Sequence, residues 1–402
     1  MSAERRGKSA ERRGEGAARR VRSLLGVLAA SLLLAGSPSA RAAEKSAELD
    51  PTVDRSDPNF VTASLLVFGP GDELFSCVGH ACIRLECPHY QLDYCFSYES
   101  ERAVERLPKF LAGKLKMGLF AIPTKEFLKE YVDSGRGLRQ YKLNLPPAVK
   151  QRLWKIMDDK AAEGANLPYD YNKRGCAKSA YLCIMKALSV AKVEREAWNK
   201  SDAPTRREKF CQRLKDTHPW NLFFLNAIVG TETDNVEEVV VPEDLLDCFR
   251  QLRVNGVPLI AGEGVELLPQ ISESRPSWFT PMCAAVLLVA LALLGFAVRK
   301  EFLAWGMLPL QALAGCFFIY LTSASELPTS NWNWLIVPFN PLPLVFWRWR
   351  RRWAWAYAAV LVLWEAFMIF SPHQLTDPAY LVITLAYIVF FVRVGRTERN
   401  MV

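Results

Sequence analysis

Cys176 sits in YDYNKRGCAKSAYLCIMKAL, directly after Gly175 and at the head of an apolar-periodic run. A cysteine placed where a helix begins has its thiolate favoured by the dipole and by the free N–H groups of the first turn. His80, in CVGHACIRL, follows a glycine at the start of a strand-like segment. A histidine brought against that sulfur serves as general base, and a third polar group holds the imidazole in one tautomer. Asp93, on the next strand-like segment, fills that third place if the two segments form a hairpin. The chemistry offered is catalysis by a thiol nucleophile, with Cys176 as nucleophile, His80 as base and Asp93 as orienter.

The elements that must position these residues are legible from pattern. Segments 61–68, 78–85 and 91–98 read as short strands separated by turn-rich GPGDE and ECPHY. Segments 105–116 and 124–134 read as helices, and 139–145 alternates like a strand. Helix 147–163 opens on proline and stops before Gly164, and 177–189 carries Tyr181, Ile184, Met185 and Leu188 at helical spacing. The expectation is an α+β domain over 60–275.

The same cysteine has a bland reading. Cys77, Cys82, Cys87, Cys95, Cys176, Cys183, Cys211 and Cys248 all lie in this domain, and in an oxidising compartment several should pair. Cys77 to Cys95 cluster locally, and Cys211 with Cys248 makes a longer link. Cys183 lies two turns along the helix from Cys176, too far to bridge it. His80 or His89 with this cluster matches no finger or ribbon spacing, so no metal site is expected, and thiol chemistry requires no cofactor. The net charge of +8 over 402 residues comes largely from the N-terminus and from the flanks of apolar segments. No basic, aromatic-interleaved face calls for nucleic acid.

Both ends of the chain point to export and a membrane. LLGVLAASLLLA, after Arg19, Arg20 and Arg22 and before Ala40-Arg41-Ala42, reads as a signal peptide over 1–42, cleaved after Ala42. The residues before it repeat SAERRG and are low in complexity, with Val21 as an alternative initiator; 43–59 reads as a linker. Beyond 276, apolar runs at 279–298, 302–323, 353–370 and 380–392 reach spanning or near-spanning length. Basic residues fall at Arg299/Lys300, Arg348 to Arg352 and Arg393 to Arg399. If these clusters stay cytoplasmic, the chain crosses again through WLIVPFNPLPLVFW, a segment broken by Pro338, Pro341 and Pro343. That gives an all-α block of about five spans with the C-terminus in the cytoplasm.

Polar residues around that broken segment are candidates for substrate contact. Asn331, Asn333 and Asn340 are expected near the outer membrane face, with Trp332 and Trp334 as interfacial anchors. Either they decorate a helix end or they dock a lipid or peptide. Glu365, within a span, should face protein. Arg84 and Arg174 could hold a phosphate.

Taken in order, VGHACIRL with Asp93, FLAGKLKMGLF, FLKEYVDSGRGLRQYKLNL, LPYDYNKRGCAKSA, HPWNLFFLNAIVGTETD, VVVPEDLLDCF and NWNWLIVPFNPLPLVF make the chain similar to the Lnb-type bacterial lipoprotein N-acyltransferases. The likeness runs from about Phe60 to the C-terminus. It implies a circularly permuted papain-like (NlpC/P60-like) periplasmic domain, with His before Cys, joined to a transmembrane domain in the inner membrane. It also implies a membrane phospholipid as acyl donor and a lipoprotein N-terminus as acceptor. The sequence departs from that pattern at Val78, where an aromatic is usual, and at Gly175 and Lys178, where Asn and Thr are usual. Asn172 is placed to compensate for the missing Asn. Two rivals remain: an exported cell-wall thiol peptidase or amidase, and a papain-like membrane assembly or sensor protein without activity.

Overall fold

Strand β1 (Thr62–Phe68) runs antiparallel to β2 (His80–Cys87), with Leu65 opposite Ile83 and Phe68 opposite His80. A single turn of 3-10 helix at Pro88–Tyr90 returns the chain into β3 (Leu92–Ser100). After α1 (Leu107–Leu111) come β4 (Lys116–Pro123), α2 (Thr124–Ser134), β5 (Leu138–Lys142), α3 (Pro147–Ala162) and the two-residue β6 (Leu167–Pro168). Then follow α4 (Cys176–Leu188), α5 (Arg206–Leu214), α6 (Pro219–Ile228), α7 (Pro242–Gln251) and β7 (Val265–Leu268). The seven-stranded sheet has the order β7-β5-β1-β2-β3-β4-β6. These relations come from a computed structural model describing residues 54–73, 76–101, 106–170, 174–271, 277–298, 302–327, 330–371 and 377–399. The leader read at 1–42 and Asn172 lie outside the described residues.

Strand alternation sends Ala63, Leu65, Ala81, Ile83, Leu85 and Phe96 to one face, where α3, α4 and α7 cover them with Leu153, Met157, Ala180, Ile184, Leu245 and Phe249. The opposite face carries Leu66, Phe68, Cys82 and Cys95 under Phe127 and Tyr131 of α2. Seven of the eight expected elements are present, their ends shifted by at most three residues. One differs in kind: the helix expected over 105–116 is only α1, and Lys116 already begins β4. MGLFAI is apolar without alternation, and its strand state follows from pairing with β3.

The C-terminal region is helical. Helices α8 (Pro281–Val298), α9 (Phe302–Ser323), α10 (Arg350–Phe370) and α11 (Pro378–Arg399) are apolar, and α11 packs against both α8 and α10. Among the described residues, three of them (within α9, α10 and α11) are long and apolar enough to cross a membrane, while Pro281–Gly295 is a shorter apolar helix. The proline-rich segment is broken into single turns at Trp334–Ile336, Leu342–Val345 and Trp347–Trp349. Neighbouring side chains take the carbonyls it frees. Gln311 Nε2 donates to Pro338 O at 2.7 Å, Asn340 Nδ2 to Val337 O at 2.7 Å, and Trp364 Nε1 to Trp334 O at 2.9 Å. Irregular backbone among apolar helices survives on such cover.

The α/β domain rests on this block backbone against backbone. Gly113 has φ +73°, and a Cβ there would lie 2.5 Å from the Glu326 carbonyl carbon; one on Gly230 would lie 1.8 Å from Asn331 O. Glu326 N donates to Ala112 O at 3.0 Å, Ser325 Oγ to Leu111 O at 2.6 Å, and Asn333 Nδ2 to Ala227 O at 2.7 Å. Phe223 of α6 stacks on Tyr380 at 4.3 Å, and the Tyr380 hydroxyl donates to Phe223 O. Phe110, Leu115, Ala227 and Ile228 thereby share one apolar cluster with Leu321, Leu335 and Phe339.

Candidate active site

Gly79, with φ +83° and no room for a Cβ, which would lie 2.7 Å from Phe68 O, turns the chain into β2 so that His80 opens the strand. Cys176 opens α4, with Gly175 as an extended N-cap. The helix N-terminus thus meets the strand start: His80 hydrogen-bonds the Cys176 sulfur, and the Ala81 backbone N–H donates to the same sulfur. Burial is the largest influence on Cys176 and opposes the thiolate, but the charge on His80 and the bonds from His80 and Ala81 together outweigh it, so the thiol is held below its ordinary value. Burial likewise opposes the charge on His80. The Cys176 thiolate and then the Glu99 carboxylate outweigh it, raising the imidazole to about 9. The two shifts reinforce each other, each group favouring the charged form of its partner. Cys77 and Cys248, by contrast, are pushed up by burial to about 11 and about 12. Each of the ten cysteines is a free thiol here, Cys211 and Cys248 included, so the expected pairings are not formed and Cys176 is uncommitted.

Asp93 is not beside the ring. Its carboxylate receives Arg84 Nε and Nη2, both at 2.8 Å, and the Thr124 hydroxyl at 2.5 Å. The reason is the hairpin centre. Opposing His80 to Asp93 would need a turn near residue 86, whereas the chain turns at Pro88–Tyr90, giving Glu86 opposite Asp93 and Arg84 opposite Cys95. Continued down the strands, that register sets Glu99, not Asp93, across from His80, and the difference of six residues is about 20 Å. Glu99 Oε1 lies 3.5 Å from His80 Nε2. Between them, the fully buried Ser97 donates its hydroxyl to Glu99 at 2.5 Å. Having spent its one proton, Ser97 Oγ accepts from His80 Nε2–H at 2.7 Å, which leaves Nδ1 as the basic nitrogen of the neutral ring. The missed signal was strand parity: 93, 95, 97 and 99 share one face of β3.

This placement gives a direct contrast. Glu99→Gln removes a charge that raises His80, so the alkaline limb of any Cys176-dependent reaction should move below about 9. The rate should fall on the order of tenfold or more. Asp93→Asn should leave the limb in place. A pH–rate profile in which Asp93→Asn moves the limb and Glu99→Gln does not would reverse the assignment.

Cys176 and His80 open on a cavity of about 610 Å³. One wall is polar: Asp72, Glu73, Glu130, Ser134 and Arg136. Arg136 is held by Gly69 O at 2.9 and 3.0 Å and lies 4.9 Å over the Tyr131 ring. The other wall is apolar, with Phe110, Met117, Tyr169, Phe210, Leu225 and Ile228.

The residues read as substrate contacts fare differently. Arg84 is committed to Asp93, to Glu86 at 2.8 Å and to Gln140 at 3.0 Å, a closed network rather than a phosphate clamp. Arg174 is exposed and donates to Pro168 O at 3.2 Å. Asn333 is buried, capping Leu335 N at 3.0 Å while bonding Ala227 O, and Asn340 bonds Val337 O, Leu342 N and Tyr357. Both hold backbone, so neither amide is available to a ligand. Asn331 is exposed, with its carbonyl against Gly230. Lys178, at a departure from the expected pattern, is ion-paired to Glu237 at 2.6 Å.

Two family profiles match this chain. The Lnb N-terminal periplasmic domain covers residues 50–201, and the Lnb transmembrane domain covers 273–398. No curated protein and no solved structure matches it.

Proposed function

The chain belongs to the Lnb family, and we propose that it is a membrane-embedded thiol acyltransferase whose periplasmic domain is a permuted papain-like enzyme. The observation that carries this is the contact of Cys176 with His80, opening on a cavity with an apolar wall built from the elements that rest on the membrane block. In the first half-reaction the Cys176 thiolate attacks the ester carbonyl of a membrane phospholipid. The carbonyl C–O bond breaks, the departing alkoxide takes the proton from the His80 imidazolium, and a lysophospholipid leaves a thioester on Cys176. In the second, His80, now neutral, takes a proton as the N-terminal amine of a lipoprotein attacks the thioester. The C–S bond breaks and the thiolate–imidazolium pair is restored. N–H groups of the first turn of α4, at Cys176 and Ala177, are the donors available to each tetrahedral oxyanion. Ser97 and Glu99 orient His80. The basic clusters, read as cytoplasmic, put the C-terminus inside and the domain on the periplasmic side, with about five crossings.

The test uses the full-length protein in phospholipid vesicles, followed by peptide mass spectrometry of the Cys176 segment. The expected result is an acyl adduct on Cys176, discharged by a lipidated N-terminal peptide and absent from Cys176→Ala. An adduct from a muropeptide, with none from phospholipid, would overturn the reading in favour of a cell-wall peptidase.

A further inference from the structure

The two walls of the cavity come from different parts of the chain, and this difference assigns them. Asp72, Glu73, Glu130 and Arg136 belong to the loop after β1 and to α2 and the loop behind it. Phe110, Tyr169, Leu225 and Ile228 belong to α1, to the turn after β6 and to α6. Phe110 and Ile228 are also members of the apolar cluster that continues into the spans, and Tyr169 packs on Phe110 with ring centroids 6.3 Å apart. The apolar wall is therefore continuous with the membrane block, whereas the opposite wall carries three carboxylates against one guanidinium and would leave methylene groups against charge. Resting on the acyltransferase reading above, we infer that the acyl chain of donor and thioester lies along Phe110, Tyr169, Leu225 and Ile228. This wall then sets the chain length that the enzyme accepts. The carbonyl carbon sits at Cys176 Sγ, and the chain runs toward the seam.

Burial of each further methylene on such a wall is worth about fourfold (about 0.8 kcal/mol). The full-length protein is offered phosphatidylglycerol vesicles or micelles with chains from hexanoyl to palmitoyl, and the rate of Cys176 adduct formation is read by mass spectrometry. The wild type is expected to speed up with chain length and then level off. Leu225→Ala, which shortens the wall, should slow palmitoyl transfer on the order of tenfold while leaving hexanoyl transfer nearly unchanged. Ile228→Trp, which fills the wall, should move the levelling-off to shorter chains; its melting temperature in detergent separates this from misfolding, and Leu225→Ala stands as the second measurement. Glu130→Gln should leave the chain-length ranking as it is. Equal slowing of all chain lengths by Leu225→Ala, or a ranking changed by Glu130→Gln and not by the wall variants, would overturn the assignment. Adducts that form in the wild type at one rate for every chain length would also overturn it, with acyl transfer itself intact. No adduct at any length would instead remove the acyltransferase reading, and this inference with it.

Discussion

Replacing His80 with alanine is expected to raise the pH at which Cys176 becomes alkylated and to slow acyl transfer by roughly three orders of magnitude. The sign follows from what balances burial at the sulfur. The charge on His80 and its hydrogen bond are the main influences that lower the Cys176 thiol, and the Ala81 N–H is the lesser one. Without the imidazole, burial and the Glu99 carboxylate both push the thiol upward. In the intact pair, reactivity should appear as pH rises through the lowered thiol value. Transfer should fade again above about 9, where the imidazolium that protonates the leaving group is lost. Peptide-resolved iodoacetamide labelling across pH reads the first limb at Cys176 alone, and single-turnover transfer reads the second. An unchanged labelling profile in His80→Ala would show that another group ionises Cys176.

The second large effect is on stability. Arg207→Met is expected to destabilise the folded protein by about 3–5 kcal/mol. Arg207 is 1 % exposed, and its guanidinium donates to Asp234 at 2.6 Å, to Asn226 Oδ1 at 3.0 Å and to Gly230 O at 2.8 Å. One side chain of α5 thus ties the end of α6 to the turn at Thr231–Asp234, beside the point where Gly230 meets Asn331. Removing it takes the guanidinium away from a buried carboxylate and a carbonyl together. Arg207→Met combined with Asp234→Leu should recover much of the loss, because the penalty lies in the partner left behind. Thermal unfolding of the two variants in detergent measures this. A single variant within about 1 kcal/mol of wild type would mean that the pair is solvated, contrary to its burial.

What could be read from sequence was whatever depends on near neighbours. β1, β2, β3, α2, α3 and α4 announce themselves by periodicity, and the Gly–Cys step announces the helix start at which Cys176 stands. Cys176 and His80 are brought together as their positions suggested. The orienter was misassigned because a hairpin's register depends on where it turns, and ECPHYQ offers several places to turn. An error of three residues at the centre moves the facing partner by six. β4 was hidden because MGLFAI is apolar on both faces. Asn333 and Asn340 look like binding residues in isolation, but the prolines beside them free carbonyls that only a folded neighbour reveals. Gly113 and Gly230 carry no signal of their own, since the backbone each touches lies more than a hundred positions away.

That contact of backbone on backbone has a kinetic meaning. A domain on a flexible tether samples a volume and meets its substrates at a molar concentration. This domain is seated on its membrane helices through Gly113, Gly230 and the carbonyls around them, which fixes Cys176 at one height. For the acyl transfer proposed above, donor and acceptor would then arrive by lateral diffusion in the bilayer. The concentration that governs turnover is their mole fraction in the surface, so diluting the donor with inert lipid should slow the enzyme while diluting the vesicles in buffer should not.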